Sequence, residues 1–289
     1  MSSFVKPPST IQQQIELLKR RNLIIEDEEF AKHVLTHVSY YRLSGYSLTL
    51  RRNDIFYPGV TFNTIYEIYE FDKKLRYLLL DLVETVEISF RTHIGYHLAH
   101  KYGPLCYTDS KYFEKEVYHK ECLSDLQKEI ERNKQELFVK HHIEKYGGKF
   151  PIWVAVEILS FGTLSRLFNN MKKEDKNTIS KTYYNFPAVY ITTWLRSLVV
   201  LRNICAHYGR LYNRRFTITP KLGKKDKKLG IQNDKLFALV FILKYLIKDD
   251  NKWTSFLINL EALFETFDKV DPSLMGFPAN WLSLLQKQP

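Results

Sequence analysis

Cysteine, glycine and proline are all scarce in this sequence. Three cysteines occur among 289 residues, namely Cys106, Cys122 and Cys205. An odd number at wide spacing gives neither a disulfide framework nor a zinc-ligand pattern, so we expect three reduced thiols in a cytoplasmic protein. The 11 glycines and 10 prolines leave long stretches without a helix breaker, and alternating strand patterns are rare. These absences favour a helical protein without disulfide or zinc sites.

Long hydrophobic runs are also missing. The first residues, MSSFVKPP, lack the apolar run of a signal peptide. The most apolar segment, residues 236–247, is interrupted by Lys244 and is too short to span a bilayer. We therefore expect a protein that is neither secreted nor embedded in a membrane.

Positive charge is in excess. The chain carries 43 Lys and Arg against 32 Asp and Glu, a formal net charge of +11. Such a surplus favours polyanionic partners, of which nucleic acid is the first candidate, although a basic protein without such a partner has the same composition. With 45% apolar residues the chain is globular, and its length suits one large domain or two small ones.

Apolar residues recur at three- and four-residue spacing along most of the chain. This pattern predicts an all-α fold in which residues 1–60 form an N-terminal helical extension and residues 61–289 form one continuous helical unit. The longest helix is expected to start after a Thr61 cap and to end before Pro104. Further helices are expected over residues 27–45, 113–146 and 151–171, and from residue 187 onward.

The helix that opens at residue 187 leads to an arginine, an asparagine and a histidine close together. In the stretch RNICAH, Arg202 and Asn203 precede His207. Arginine binds phosphate oxygens through a planar charged fork, and histidine exchanges protons near neutral pH. Together they suit RNA cleavage without a metal or another cofactor, because the 2′-hydroxyl of RNA supplies the nucleophile.

The spacing of Arg202 and His207 leaves three arrangements open. Five residues on a straight α-helix place two side chains about 140° apart. A helix that ends before His207, for which Gly209 is a signal, brings them closer together. Two copies of the motif that face each other in a symmetric dimer also complete a site. In the third arrangement they are only cationic side chains that favour the negative end of the helix dipole.

The same three residues resemble the Arg-x4-6-His signature of HEPN ribonucleases, in which an asparagine commonly follows the arginine. The wider sequence is similar to the Abi-like (AbiD/AbiF-type) abortive-infection family of bacterial anti-phage proteins. This resemblance rests on the blocks SYYRLSGY (39–46), FDKKLR (71–76), ETVEISFR (84–91), PIW (151–153), FGTL (161–164) and WLR (194–196).

The resemblance implies an all-α HEPN-like helical bundle that dimerises to build a composite ribonuclease site. It implies that Arg202 and His207 are catalytic and that Asn203 orients the site. It further implies a role in phage defence and an association with a structured non-coding RNA, as in some relatives. RNA and a second copy of the chain are thus the expected partners, with no membrane involved.

A second pair with similar spacing lies on the predicted long helix. Arg91 and His97 form Arg-x5-His, with His93 and His100 nearby. One interpretation places Arg91 in the same cleft as the first pair. In the other, Arg91 forms an ion pair with Glu87, and the histidines pack against aromatic neighbours.

Other candidates for RNA contact lie around the first pair or follow it in the chain. Tyr41 and Arg42 can stack on bases, although they also suit a packed helix end. Arg210 and Arg214 crowd the same corner as His207. A Gly-flanked loop carries five lysines that can bind phosphates or simply be solvated: Lys221, Lys224, Lys225, Lys227 and Lys228.

Two functions other than cleavage stay open from the sequence. The chain can act as a ribonucleoprotein component or antitoxin-like module that grips RNA without cutting it. It can also be a protein-interaction domain, although the presence of both Arg202 and His207 argues against that.

Overall fold

Helices account for almost all of the regular structure. The computed structural model describes residues 7–286. Helices make up 67% of it, and the described residues contain 14 α-helices and one small two-stranded sheet, so the predicted all-α class is confirmed. In chain order the α-helices are α1 (Ile11–Arg20), α2 (Glu28–His37), α3 (Tyr40–Ser44), α4 (Phe62–Tyr102), α5 (Glu116–Arg132), α6 (Leu137–Tyr146), α7 (Ile152–Ile158), α8 (Phe161–Asn170), α9 (Lys173–Ile179), α10 (Ala188–Ala206), α11 (Lys224–Lys227), α12 (Leu236–Leu246), α13 (Asp250–Thr266) and α14 (Trp281–Leu285).

The sheet is a hairpin between α3 and α4. Strand β1 (Arg51–Arg52) pairs antiparallel with β2 (Ile55–Phe56). The connecting residues Asn53 and Asp54 have φ angles of 49° and 65°. Two left-handed residues in a two-residue loop match the twist of a tight hairpin. The hairpin is therefore a local feature of this connection.

The 41-residue helix α4 lies at the centre of the bundle. Its first turn is capped by the Thr61 hydroxyl, which accepts a hydrogen bond from the Thr64 amide. It ends at Gly103, whose φ of 94° is unfavourable for other residues. The helix packs against α7, α8, α10 and α13. The predicted start at Thr61 and the predicted end before Pro104 are both correct.

Helix α10 packs against α4 and α8 and carries the RNICAH motif at its end. Pro187 directly precedes its first turn. Proline has no amide hydrogen, and at the start of a helix this hydrogen would have no partner within the helix. Burial of each large apolar side chain contributes roughly 1.5–3 kcal/mol to the stability of this packing. The residues predicted to face inward are all at most 1% exposed: Ile191, Trp194, Leu195, Leu198 and Leu201.

The helix predicted over residues 27–45 is interrupted, so this prediction is wrong in part. Helix α2 ends at His37, and Val38 is extended. The Ser39 hydroxyl then accepts a hydrogen bond from the Arg42 amide and starts the separate helix α3. Gly45 follows with a right-handed φ of −65°, so it is not the left-handed stop typical of glycine. The spacing of apolar residues does not show that a serine hydroxyl accepts from a backbone amide and so starts a new helix.

Two other predicted helices are also divided. The stretch 151–171 breaks at Leu159, because the Ser160 hydroxyl accepts from the Thr163 amide and caps α8. The stretch 113–146 contains α5 and α6 with a turn between them. In both stretches the apolar spacing continues across the break, which explains why the pattern predicts a single helix.

The N-terminal helices share their core with the rest of the chain. Ile15 of α1 and Val34 of α2 belong to the same hydrophobic cluster as residues of α4 and α10. Ile24 also forms a β-bridge with Thr61. The predicted boundary at residue 60 stays a prediction. The signal-peptide expectation concerns residues 1–8, of which residues 1–6 lie outside the described residues, as do residues 287–289.

The stability of this fold is expected to fall in mild acid because of His93 on α4. Its ring stacks on Tyr183 at 3.5 Å between centroids, and Tyr184 Oη lies 3.2 Å from Nδ1. Burial lowers the pKa of His93 from 6.5 to about 4. The unfolded chain therefore takes up this proton first, and stability is lost as the pH falls from 6.5 towards 4. Thermal unfolding should show a drop in Tm over this range.

Substitution of His93 distinguishes its contribution to the pH dependence of Tm from that of other titrating groups. We expect His93→Gln to flatten the decrease in Tm between pH 7 and pH 5, whereas His141→Gln, on an exposed histidine of α6, should leave it unchanged. An identical pH profile for His93→Gln and the parent protein would contradict the assignment.

Candidate functional site

The end of α10 is an unusual helix terminus. The Gly209 amide donates to the Ile204 carbonyl at 2.8 Å, and the Tyr208 amide donates to the Cys205 carbonyl at 3.2 Å. This pair of bonds is the Schellman motif, in which the left-handed position normally belongs to glycine. Here Tyr208 occupies it, with a φ of 58°. The helix therefore ends at Ala206, and His207 begins the turn.

The residue after Tyr208 must be a glycine, because the backbone at Gly209 lies against Ile204 of the last helical turn. A β-carbon at Gly209 would lie 3.1 Å from Ile204 Cγ2 and 3.2 Å from the Ile204 carbonyl oxygen. We expect Gly209→Ala to lower the free energy of unfolding by about 1–3 kcal/mol, measured in urea. Gly162→Ala is the control, since its β-carbon would meet no atom closer than 3.7 Å. Equal stabilities of the two variants would contradict this expectation.

A buried carboxylate fixes the segment after the turn. Asp72 of α4 is fully buried and accepts hydrogen bonds from the Leu211 amide at 3.0 Å and the Tyr212 amide at 2.7 Å. It also accepts from the Tyr46 hydroxyl at 2.8 Å and forms an ion pair with Arg76. Burial raises the pKa of Asp72, while Arg76, Tyr46 and the two amides favour its charged form. This one side chain therefore joins α4, the N-terminal region and the segment beyond α10.

Arg202 faces α4. Its Nε lies 3.8 Å from Oε2 of Glu87, and its Nη1 donates to Asn203 Oδ1 at 3.3 Å. The other oxygen of Glu87 forms an ion pair with Arg91, which also donates to the Val156 carbonyl. Two arginines thus share one carboxylate. Arg202 remains 36% exposed, so its guanidinium is accessible to a ligand.

His207 lies in different surroundings. Its exposed side chain lines an open concavity of about 590 Å³ with Tyr41, Arg42, Arg210 and Arg214. We call this the His207 concavity. Arg210 and Arg214 thus lie beside His207, as their proximity in the sequence predicts, whereas the presence of Tyr41 and Arg42 there was not predicted. Arg202 is not among the residues that line this concavity, so one chain does not bring the two predicted catalytic side chains together there.

Local contacts hold the arginines of the His207 concavity in place. Arg42 Nη1 donates to the Tyr208 carbonyl at 2.8 Å, and Arg214 Nε donates to the Arg210 carbonyl at 2.7 Å. Arg210 donates to the Tyr212 carbonyl. Burial lowers the pKa of Arg210, and the Asp72 carboxylate counteracts this effect, so the guanidinium stays charged at neutral pH. The concavity therefore presents positive charge beside an imidazole.

A second open concavity of about 530 Å³ adjoins the first. Arg42 and Tyr208 line both of them. We call it the Lys73 concavity, because Lys73 lines it together with Tyr77 of the same helix. Cys205 also lines it, but burial raises the pKa of this thiol to about 12, so it stays protonated near neutral pH. A cysteine nucleophile is therefore not a feature of this site.

The second predicted pair is separated in the structure. Arg91 contacts Glu87 and α7, whereas His97 Nε2 lies 2.8 Å from Oδ1 of Asp175 on α9. The interpretation in which Arg91 pairs with Glu87 therefore agrees with the structure. The same interpretation expects the histidines to pack against aromatic residues. This is correct for His93 and His100, which pack against tyrosines, and wrong for His97, which contacts a carboxylate.

The lysine-rich segment lies at the opposite end of α10 from His207. The Lys221 amide donates to the Thr193 hydroxyl at 3.0 Å, and the Lys221 carbonyl accepts from Trp194 Nε1 at 2.8 Å. Trp194 and His207 are separated along the helix by about 20 Å. Lys224, Lys225, Lys227 and Lys228 follow on or beside α11 and are exposed. An RNA that contacts this segment and His207 together must extend along α10.

Sequence reasoning did not assign a role to four residues of this site. Lys73 and Tyr77 line a concavity, yet nothing in their spacing relates them to His207. The position of Tyr208 directly before Gly209 was a signal that this tyrosine lies at a helix end. The burial of Asp72 was also not predicted, since an i,i+4 pair with Arg76 is typical of a helix surface.

Residues 7–286 contain no group of three or more His, Cys, Asp or Glu residues placed to hold a metal ion. No helix in this range has the length and the apolar character that a membrane crossing requires.

The fold and the site define an all-α protein with a positively charged concavity at the end of helix α10. A model of the Abi-like protein family matches residues 33–213, and the chain belongs to this family. The match covers more than half of the chain and includes α4, α10 and the lining residues of both concavities except Arg214. No significant match exists among curated proteins or among solved structures.

Proposed function

We propose that the protein is a metal-independent endoribonuclease of bacterial abortive infection, with a catalytic site of the HEPN type that two copies of the chain complete. Membership in the Abi-like family supports the role in defence against phage. The observation that carries the proposed activity is the exposed His207, which shares one concavity with Arg42, Arg210 and Arg214.

RNA cleavage by this site needs two proton transfers and a cation. One imidazole takes the proton of the 2′-hydroxyl, whose oxygen attacks phosphorus. The bond from phosphorus to the 5′-oxygen then breaks, and that oxygen receives a proton from a second imidazole. Arginines stabilise the charge on the phosphate oxygens. The products are a 2′,3′-cyclic phosphate and a 5′-hydroxyl.

A second copy supplies what one chain lacks. One chain contributes a single His207, and its Arg202 faces another side of α10. Two motifs around a two-fold axis place two histidines and two Arg202 side chains at one phosphate. Asn203, which accepts a hydrogen bond from Arg202, would orient that guanidinium.

Exposed apolar side chains near Arg202 support a contact with a second copy. Ile88 and Gly95 flank Arg91 on one face of α4, three residues before it and four residues after it. Trp153 of α7 packs on Gly95, and Ile88 and Trp153 are 53% and 52% exposed. We propose that the second copy covers these two exposed side chains, because aromatic and aliphatic side chains are enriched at the centres of protein interfaces.

Incubation of the protein with RNA in a chelator tests the activity. We expect cleavage that is unaffected by the removal of divalent ions and that leaves 2′,3′-cyclic phosphate ends. A strict requirement for a divalent ion, or products with 3′-hydroxyl ends, would contradict the proposed chemistry.

A second candidate function is RNA binding without cleavage, as a ribonucleoprotein component or antitoxin-like module. The exposed lysines around α11 favour it, because they lie far from His207 and can bind phosphates of a long or structured RNA. RNA of one discrete size that copurifies with the protein, together with no cleavage by that complex, would favour this function.

A further inference from the structure

An exposed aromatic residue is shared by the two concavities. Tyr208 lines both, and so does Arg42, whose guanidinium donates to the Tyr208 carbonyl. The tyrosine is 63% exposed although its backbone is left-handed, with a φ of 58°. Glycine adopts this conformation without strain, and it is the usual residue at this position of a helix end. The chain thus holds an exposed ring where stability favours glycine, a combination typical of functional sites.

The two concavities have the same chemical character. Lys73 and Arg42 line one of them, and Arg42, Arg210 and Arg214 line the other. No carboxylate occurs among the described residues that line either. Their volumes of about 530 and 590 Å³ fall in the range of roughly 300–1,000 Å³ that suits small ligands.

Aromatic side chains accompany these cations on both sides of Tyr208. Tyr77 is 62% exposed in the Lys73 concavity, and Tyr41 is 87% exposed in the His207 concavity. Cations that bind phosphates, alternating with rings that stack on bases, are the usual elements of a single-strand binding groove. A double helix hides the faces of its bases, so exposed rings select unpaired nucleotides.

We infer that a single-stranded RNA crosses both concavities, with one base stacked on Tyr208 and the phosphates on either side bound by Lys73 and by Arg210 and Arg214. Arg42 lies at the boundary and contacts the phosphate beside the stacked base. The inference rests on the proposed function, since it takes the phosphate in the His207 concavity as the one that is cut. Stacking tolerates any base, so the groove sets the path of the strand rather than its sequence.

Binding measured without cleavage tests the inference. A labelled single-stranded RNA of mixed sequence is titrated with the full-length His207→Ala protein, and fluorescence anisotropy gives the Kd. Adding Tyr208→Gly should weaken binding by about 5- to 150-fold, the loss expected for one stacked base. The same substitution should leave Tm unchanged or raise it by about 2–4 °C, because the strain is removed.

Two further variants distinguish stacking from a general effect. Tyr208→Phe keeps the ring and should retain the affinity for RNA. Tyr118→Ala removes an exposed tyrosine of α5, which adjoins Lys115 outside both concavities, and should also bind normally. Unchanged binding by Tyr208→Gly, equal loss in Tyr208→Phe, or equal affinity for a duplex would each overturn the inference.

The inference and the proposed function can fail separately. If Tyr208→Gly weakens single-strand binding but the protein with intact His207 never cleaves RNA, the groove stands and the nuclease proposal fails. If the protein cleaves RNA and Tyr208→Gly binds and cleaves RNA normally, the inference of a single-strand binding groove is wrong and the nuclease proposal is supported.

Discussion

Replacing His207 with alanine is expected to lower the rate of RNA cleavage by at least about 100-fold, the usual contribution of a general acid or base. The imidazole lies exposed in a cationic concavity, where it can reach a phosphodiester bound by arginines. In a dimer with a shared site, each substituted copy removes one of the two proton-transfer groups. The measurement is the initial rate of cleavage of a labelled RNA under conditions in which the parent protein is active.

The substitution should not disturb the fold. Because His207 is exposed, we expect Tm and helical content of His207→Ala to match those of the parent protein. His141→Ala is the control, since it removes another exposed histidine, from α6, and should retain full activity. A His207→Ala protein that cleaves at the parental rate would remove this residue from the mechanism.

Asp72→Asn is expected to lower the free energy of unfolding by about 3–5 kcal/mol, the effect of breaking a buried ion pair from one side. The substitution leaves Arg76 charged and buried without its partner. It also replaces one of the two acceptor oxygens by an amide nitrogen that cannot accept, so either the Tyr46 hydroxyl or the Leu211 and Tyr212 amides lose an acceptor. Urea unfolding followed by circular dichroism measures the change.

The same substitution at an exposed position of α4 provides a matched control. Asp81 forms an ion pair with Lys252 at 2.8 Å and is 63% exposed. Surface pairs contribute about 0–1 kcal/mol, so Asp81→Asn should be nearly neutral. Similar losses in the two variants would show that Asp72 does not hold the segment beyond α10 in the way described.

Much of the fold could be predicted because long apolar stripes determine it. The start of α4 at Thr61 follows from one capping residue and regular spacing, and the burial of Trp194 and Leu198 follows from their place on the stripe of α10. The breaks at Ser39 and Ser160 could not be predicted in this way. At both positions a hydroxyl takes a backbone amide from a helix that the apolar pattern would continue.

The site could be predicted in composition but not in arrangement. The motif predicts Arg202 and His207 as site residues, but their spacing leaves the relative direction of the two side chains open, because the helix can end before His207. The placement of Arg42 beside Tyr208 depends on residues far apart in sequence, which no local pattern relates. Tyr208 is an exception to the usual rule for a helix end, in which a glycine occupies the left-handed position.

The shared site is the central claim, and mixing two inactive variants tests it most directly. We expect Arg202→Ala and His207→Ala each to lose cleavage, because each removes one kind of catalytic group. After the two proteins exchange subunits, roughly half of the dimers should be mixed and should combine an intact Arg202 from one copy with an intact His207 from the other. Partial recovery of RNA cleavage is the predicted result: the rate should exceed that of either variant alone but stay below that of the parent protein, because the mixed site lacks one of the two imidazoles. Mass spectrometry confirms that mixed dimers have formed. Mixed dimers that remain inactive, or a protein that cleaves RNA as a monomer, would contradict the account.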